Sequence, residues 1–308
     1  MGESTAVNIA AVERDTGLSK DTLRVWERRY GFPAPRRDAT GQRVYTADDV
    51  EKLRVAKRLL DHGYRPGKIL GFTAERMLQM ADAAAPRPDA RTDPPREGAT
   101  VEALLGLIQT HRVEELRRQL GQSLLRLGLG RFIAEVVAPL NARVGDAWSR
   151  GRLEIFEEHL YTECIQGILR NAITGIPRPG VDPARVMLTT FPRESHGLGL
   201  LMAEAFFALE GCGCISLGVQ TPVPDIVRAA ILKKADIVAL SFSDAVNANH
   251  AGDGIAELRS LLPESMELWV GGSCPVPERR LQDGVERLRL LTDIGPALAR
   301  WRKRHPRG

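Results

Sequence analysis

Val186-Met-Leu-Thr-Thr-Phe191 is followed, two residues on, by Glu194-Ser195-His196-Gly197-Leu198-Gly199. The first run is apolar and has the length of a buried strand. The second is a short polar loop, and Leu198 opens an apolar helical run. Strand, loop, helix is the unit of an α/β sheet, and such sheets bind ligands beyond the carboxyl ends of their strands. His196 stands at such an end. Neutral imidazole is a good ligand for a borderline transition metal. The carboxylate of Glu194, two residues earlier, is able to hydrogen-bond the other ring nitrogen and fix its tautomer. Gly197 and Gly199 let a ligand approach the backbone. A lone histidine beside a glycine is more often an ordinary loop residue, so the rest of the chain decides.

Downstream, Gly213–Gly218 reads as a second strand, and Thr221-Pro-Val-Pro-Asp225 opens a helix over Ile226–Lys234. Asp236–Ser243 and Leu268–Gly272 are a third and a fourth strand, and Leu288–Leu291 is a candidate fifth. Strands alternating with helices imply a parallel sheet covered on both faces. Ser241, Ser243, Gly271 and Gly272 then follow strand ends, as His196 does. Each also has a plainer reading, as a small residue in a tight strand–helix turn.

Upstream, the run Ala83 to Gly98, with Pro86, Pro88, Pro94 and Pro95, predicts an extended linker at 83–98. Residues 99–178 read as a four-helix bundle. Its helices are expected at about Thr100–Thr110, Val113–Leu125, Leu129–Arg150 and Leu153–Ile173. The last is apolar at Phe156, Leu160, Cys164, Ile165, Ile168, Leu169 and Ala172. Trp148 is followed ten and eleven residues later by Glu158-His159. Residues 179–308 are then the sheet domain, ending in a basic tail, Arg300 to Arg307, read as a frayed helix end.

The first 82 residues have another character. Ile9–Asp15, a turn at Thr16-Gly17-Leu18, and Ser19–Arg29 read as helix, turn, helix, with Asn8 and Ser19 as N-caps. Ile9, Val12, Leu18, Leu23 and Trp26 form the expected core, while Lys20, Arg24, Arg28 and Arg29 face outward. Tyr30-Gly31-Phe32-Pro33 stops the helix. Pro35 to Tyr45 is a basic hairpin with glycine at its tip, and a capped helix follows from Thr46 to about His62. The formal charge of the chain is +4, and the positive excess lies in the first eighty residues. That is the electrostatic footprint of a nucleic-acid-binding head.

With 308 residues, 43% of them hydrophobic, the chain has the length for two or three domains. No run of 18 apolar residues and no signal-peptide pattern is present, so a cytoplasmic protein with no membrane partner is expected. Cys164, Cys212, Cys214 and Cys274 show neither disulfide nor zinc spacing. No Ser-His-Asp, phosphate-loop or paired-carboxylate site is apparent, so the chain does not read as an enzyme.

Residues 7–78, and above all Leu23-Arg-Val-Trp-Glu-Arg-Arg-Tyr-Gly31 with Arg43 to Tyr45, are very similar to the MerR-type winged helix-turn-helix. That resemblance implies a recognition helix in the major groove of double-stranded DNA. Lys20, Arg24 and Arg28 would serve the groove and its rim. Arg36, Arg37 and Arg43 would serve the wing, with Tyr45 touching the DNA backbone. Glu194 to Gly199 resembles an ExHxxG variant of the DxHxxG motif of cobalamin-binding domains, in which the histidine ligates cobalt from below. The Trp148…Glu158-His159 spacing is similar to the helical cap of the same group. There the Trp packs over the upper corrin face and the Glu-His pair lies near the upper axial group, while positions matching Ser241, Ser243, Gly271 and Gly272 line a slot for the cofactor's nucleotide tail.

Together these features resemble the CarH/LitR group of light-sensing MerR-cobalamin repressors, over nearly the whole chain. The resemblance implies a repressor that holds adenosylcobalamin, binds an operator as dimers joined into a dimer of dimers in the dark, and releases DNA when light breaks the cobalt–carbon bond. One departure stands out. Where well-defined light-responsive members carry a histidine after the Trp, to cap cobalt after photolysis, this chain has Ser149. His159 is the imidazole available to substitute. The alternatives are a MerR-type regulator whose pocket takes another tetrapyrrole or a protein partner, and a corrinoid methyltransferase subunit or mutase fragment. The MerR-like head argues against the last.

Overall fold

The computed structural model describes residues 7–16, 18–38, 40–61, 64–84, 96–177, 180, 183–243 and 246–306. The chain divides into two compact units. One comprises residues 1–91 with 145–153, and the other 92–144 with 154–308.

The head begins with β1 (Val7–Asn8), α1 (Ile9–Thr16) and α2 (Lys20–Tyr30). The wing strands β2 (Arg36–Arg37) and β3 (Arg43–Tyr45) follow, then α3 (Ala47–Asp61), α4 (Pro66–Ile69) and α5 (Ala74–Ala84). The local chemistry explains the boundaries. Asn8 Oδ1 accepts the N–H of Ala11 at 2.9 Å, and Ser19 Oγ accepts that of Thr22 at 3.2 Å. Gly31 ends α2 at φ +68, where a side chain would be strained. Thr46 and Asp49 cap α3 reciprocally, each side chain accepting the other's N–H at 3.1 Å. β1, absent from the sequence reading, pairs with β3 to complete a three-stranded antiparallel sheet in the order β1-β3-β2. Val12, Leu18, Leu23, Trp26, Leu53, Leu59 and Met77 fill the core, with Ile9 packed at its edge. The turn glycine Gly17, residues 62–63 and most of the expected linker (85–95) lie outside the described residues.

The bundle consists of α6 (Arg96–Gln109), α7 (Val113–Leu127), a third helix and α10 (Ile155–Thr174). The third helix is not uniform. It starts as α8 (Leu129–Phe132), widens into a π-turn over Ile133–Val137, and resumes as α9 (Ala138–Ser149). Pro139 explains the widening: it has no N–H to give the carbonyl of Glu135, and a π-turn just ahead of it absorbs the missing bond. The α10 face also differs from expectation. Cys164, Ile165 and Leu169 are buried as read, but Phe156 (51% exposed) and Leu160 (42%) face outward, while Glu157 and Tyr161 face in. Burying Glu157 is possible because its carboxylate is bonded on both sides. One oxygen accepts the N–H of Glu154 at 2.7 Å, and the other lies 2.7 Å from His111 Nε2.

The sheet contains β4 (Arg185–Thr189), β5 (Gly213–Gly218), β6 (Ile237–Phe242), β7 (Glu267–Gly272) and β8 (Val285–Arg287). All pairings are parallel, in the order β5-β4-β6-β7-β8. The fifth strand therefore lies just before the expected Leu288–Leu291, whose last residue opens a 3-10 turn. Strand residues alternate between two cores. Val186, Leu188, Ile237, Ala239 and Trp269 pack with α11 (Leu198–Leu209) and α14 (Ile294–Arg304). Met187, Val238, Leu240, Leu268 and Val270 pack with α12 (Val223–Leu232) and α13 (Ala248–Leu261). The bundle joins the sheet through α10, which packs on α11.

The basic tail is not a frayed end. Leu298 and Trp301 of α14 are buried, and Arg300, Arg302 and Arg304 pair with Glu286, Glu210 and Glu267. Among the described residues, no helix is long and apolar enough to cross a membrane.

Gly272, at the end of β7, has φ +70, and a Cβ there would sit 2.3 Å from the carbonyl oxygen of Phe242. Gly272→Ala is expected to cost about 2 kcal/mol or more, read as a fall in Tm, whereas Gly271→Ala, whose nearest neighbour would be 3.8 Å away, should be nearly silent.

Candidate functional site

The chain enters the sheet at β4, moves outward to β5, and then crosses back to β6. The strand order therefore reverses between β4 and β6, and the crevice at their carboxyl ends is where open α/β sheets take ligands. The His196 loop leaves β4 on one side of it, and Ser241 and Ser243 close β6 on the other.

Glu194 holds the two sides together. The residue is 2% exposed, yet both carboxylate oxygens are fully engaged. Oε1 lies 2.6 Å from His196 Nδ1 and accepts the backbone N–H of His196 at 2.9 Å. Oε2 accepts the N–H of Ser243 at 2.8 Å and its hydroxyl at 2.6 Å. Ser243 Oγ is also 3.1 Å from His196 Nδ1. Burial opposes ionisation of Glu194, but the bonds from His196 and Ser243 outweigh it and hold the carboxyl down at about 2. An ionised Glu194 accepts the Nδ1 proton, which makes Nε2 the lone-pair nitrogen. The His196 side chain is 59% exposed, so the imidazole is oriented from behind and presented outward.

The glycines have separate tasks. A Cβ on Gly199, in the first turn of α11, would come within 2.9 Å of Ser241 Oγ, so this glycine lets the helix seat against β6. A Cβ on Gly197 would come within 3.3 Å of Val219. Ser241 is buried and pairs in register with Gly271, and Phe242 pairs with Gly272, so these small residues share the ends of β6 and β7. Sequence reading put Ser243 in a slot; its bonds to Glu194 are a role no local pattern announces. Trp148 is half-buried in the last turn of α9. Glu158 and His159 stand in the first turn of α10, where Glu158 accepts the Thr162 hydroxyl at 2.6 Å and His159 is exposed.

In the head, Arg24 and Arg28 project from α2, and Arg36 and Arg37 from the edge strand β2; all four are exposed. Arg24 pairs with Asp21 at 3.2 Å on the surface, a weak competitor for phosphate. Lys20 reaches Glu13 of α1 at 3.3 Å. Arg43 differs from the others: its guanidinium grips Glu27 of α2, with Nε at 2.9 Å and Nη2 at 3.4 Å, and so ties wing to helix. Tyr45 also differs from the arginines. It is 1% exposed and belongs to the head core, where no phosphate reaches it in this arrangement.

The MerR HTH family regulatory protein model matches residues 7–74, and B12 binding domain models match 100–172 and 184–286. The HTH-type transcriptional repressor CarH of Myxococcus xanthus is 32% identical over 278 residues, covering 89% of this chain and 90% of that one. The chain belongs to the MerR-type regulators with B12-binding domains. The repressor CarA of the same organism is 29% identical over 77% of this chain and 76% of its own length. Among solved structures, the Methanosarcina barkeri monomethylamine corrinoid protein superposes with a TM-score of 0.53 at 14% identity, covering 65% of this chain and 96% of that one. That likeness shows the shared fold.

The donor set suits the family's cofactor. Among the described residues there is no group of three or more His, Cys, Asp or Glu placed to hold a metal ion. His196 is therefore a single donor, too few for a bare ion. A single nitrogen donor would fit a cobalt whose remaining ligands a corrin supplies.

The state of Glu194 makes acid sensitivity testable. Its carboxyl is lowered from 4.5 to about 2 on folding. The stabilisation, roughly 3 kcal/mol, is thus complete above 4.5 and lost as the pH falls from there toward 2. Denaturant titrations across that range should show Glu194→Gln less stable than the parent at neutral pH and flatter in its acid dependence.

Proposed function

We propose that the chain is a transcriptional repressor whose DNA-binding head is controlled by cobalamin held at His196, with adenosylcobalamin as the bound form and light as the signal. The observation that carries this reading is the Glu194–His196–Ser243 arrangement at the switch point of a chain that also bears a MerR head. CarH and CarA, its relatives, are both HTH-type transcriptional repressors. The working division is a head at 1–82, a linker at 83–98, a helical cap at 99–178 and a sheet domain at 179–308.

In this reading His196 Nε2 would hold the cobalt, with Glu194 and Ser243 holding its ring. Gly197, Gly199, Ser241, Gly271 and Gly272 leave room for the cofactor's tail. Trp148, Glu158 and His159 serve the upper side, where Ser149 offers no imidazole and His159 is the one at hand. When bound, adenosylcobalamin supplies a cobalt–carbon bond that light cleaves. Trp148, Glu158 and His159 would be the side chains through which the helical cap reads that change. Dimers joined into tetramers in the dark bind the operator, and light separates them.

On DNA, α2 enters the major groove with Lys20, Arg24 and Arg28 at the groove and its rim. Arg36 and Arg37 meet phosphates from the wing. Arg43, committed to Glu27, sets the angle of the wing.

Reconstitution in the dark with adenosylcobalamin should give a protein-bound corrinoid spectrum that converts under green light, with a drop in oligomer size by size exclusion. A bound spectrum that light leaves unchanged removes the photoreceptor reading and leaves a cobalamin regulator. No retained cobalamin turns attention to other tetrapyrroles and to protein partners. His196→Ala should weaken cobalamin binding at least about tenfold and abolish the lower-nitrogen spectrum; unchanged affinity and spectrum would remove His196 as the ligand.

For the head, Arg24→Ala should weaken operator binding by roughly 1–3 kcal/mol if it reads a base, or lower the salt slope by about one if it meets a phosphate. Operator affinity unchanged at every salt concentration would refute its assignment.

A further inference from the structure

Outside the Glu194–His196–Ser243 trio, a densely bonded polar cluster lies where β4 and β5 end. Thr189 and Thr190 are consecutive and both 0% exposed. A buried hydroxyl without partners is costly, and both of these have partners. The Thr190 hydroxyl donates to the backbone carbonyl of Glu194 at 2.6 Å and accepts the backbone N–H of Gln220 at 2.8 Å. Its own carbonyl accepts the N–H of Thr221 at 3.1 Å. The Thr189 hydroxyl donates to the carbonyl of Gly218 at 2.9 Å and lies 2.7 Å from the Thr221 hydroxyl.

These bonds take over where regular pairing fails. The β4–β5 ladder slips between Leu188 and Thr189. Past the slip, Gly218 and Gln220 adopt φ +77 and +60, and Arg193 in the histidine loop adopts φ +72. Backbone in the left-handed region needs surrounding contacts to hold it. Here the Thr190 hydroxyl spans both turns. It fixes the carbonyl of Glu194 on one side and the amide of Gln220 on the other, beside Val219, which abuts Gly197 next to His196.

We propose that Thr190 is a positioning residue for the metal-ligating histidine, coupling the 190–197 loop to the β5–α12 turn so that the two move as one. Its bearing on cobalt rests on the reading of His196 as the lower ligand. Glu194 is then held at both ends, its carboxylate by Ser243 on the β6 side and its carbonyl by Thr190 on the β5 side. Valine at 190 would keep the shape and drop the hydroxyl, leaving the Glu194 carbonyl and the Gln220 amide without their buried partner.

The test uses the full chain as parent, Thr190→Val, Thr190→Ser and His196→Ala. Hydrogen exchange of the Gln220 and His196 amides is measured without cobalamin, and adenosylcobalamin affinity and absorption are measured with it. Thr190→Val should speed exchange at both amides about tenfold, weaken cobalamin binding by a similar factor, and raise the fraction of cobalt lacking a lower nitrogen. Thr190→Ser should restore all three. Weaker binding with an unaltered spectrum and no rescue by serine would mean packing alone and overturn the proposal, as would amide exchange equal to the parent's. If the parent retains no cobalamin, the cofactor reading fails separately, and the exchange data still decide whether Thr190 couples the two loops.

Discussion

A carboxylate with almost no solvent, holding an imidazole on one oxygen and a serine on the other, is the interaction on which the site depends. An ionised group at 2% exposure survives only when its desolvation is offset by donors on every lone pair in use. Glu194 meets that condition with four. The donors come from two places in the chain, 2 and 49 residues away. Holding the charge therefore also closes the carboxyl end of β4 against that of β6, and the ring of His196 takes its direction as a by-product of satisfying a buried charge.

The surrounding fold makes this arrangement available. The strand reversal opens the crevice, and Gly199 lets α11 seat against Ser241 of β6 beside it. Two independent cores, one on each face of the sheet, fix the strand ends to which the loops are tied. Because α11 begins directly after the histidine loop and packs on α10, the loop is continuous with the helix that meets the bundle.

Much of this was legible in the chain itself, and the failures share a cause. Caps and turns rest on neighbours within four residues, so Asn8, Ser19, Gly31 and the wing glycine could be read directly, as could the strand–loop–helix rhythm around His196. What could not be read were partnerships across the fold. Arg43 has the look of a wing cation, and only the position of Glu27 shows it to be occupied. Tyr45 looks like a surface aromatic at a hairpin end until the head core closes around it. Phe156 and Leu160 fit an apolar stripe, but Glu157 claims the inward direction because Glu154 and His111 satisfy its charge there. The arginines of α14 read as a solvated tail because their acidic partners lie 14 to 92 residues away.

The π-turn ahead of Pro139 has a consequence for aim. A π-turn carries one more residue than an α-turn, and each residue of an α-helix advances the azimuth by about 100°. Every side chain from Ala138 onward is therefore rotated by about that angle from where an unbroken helix starting at Leu129 would point it. Trp148 is three turns further on, and its bearing around the α9 axis follows from a backbone irregularity that ends eleven residues before it. A chain with one residue deleted between Ile133 and Val137 would keep its tryptophan and its helix, yet turn the indole toward a different quarter.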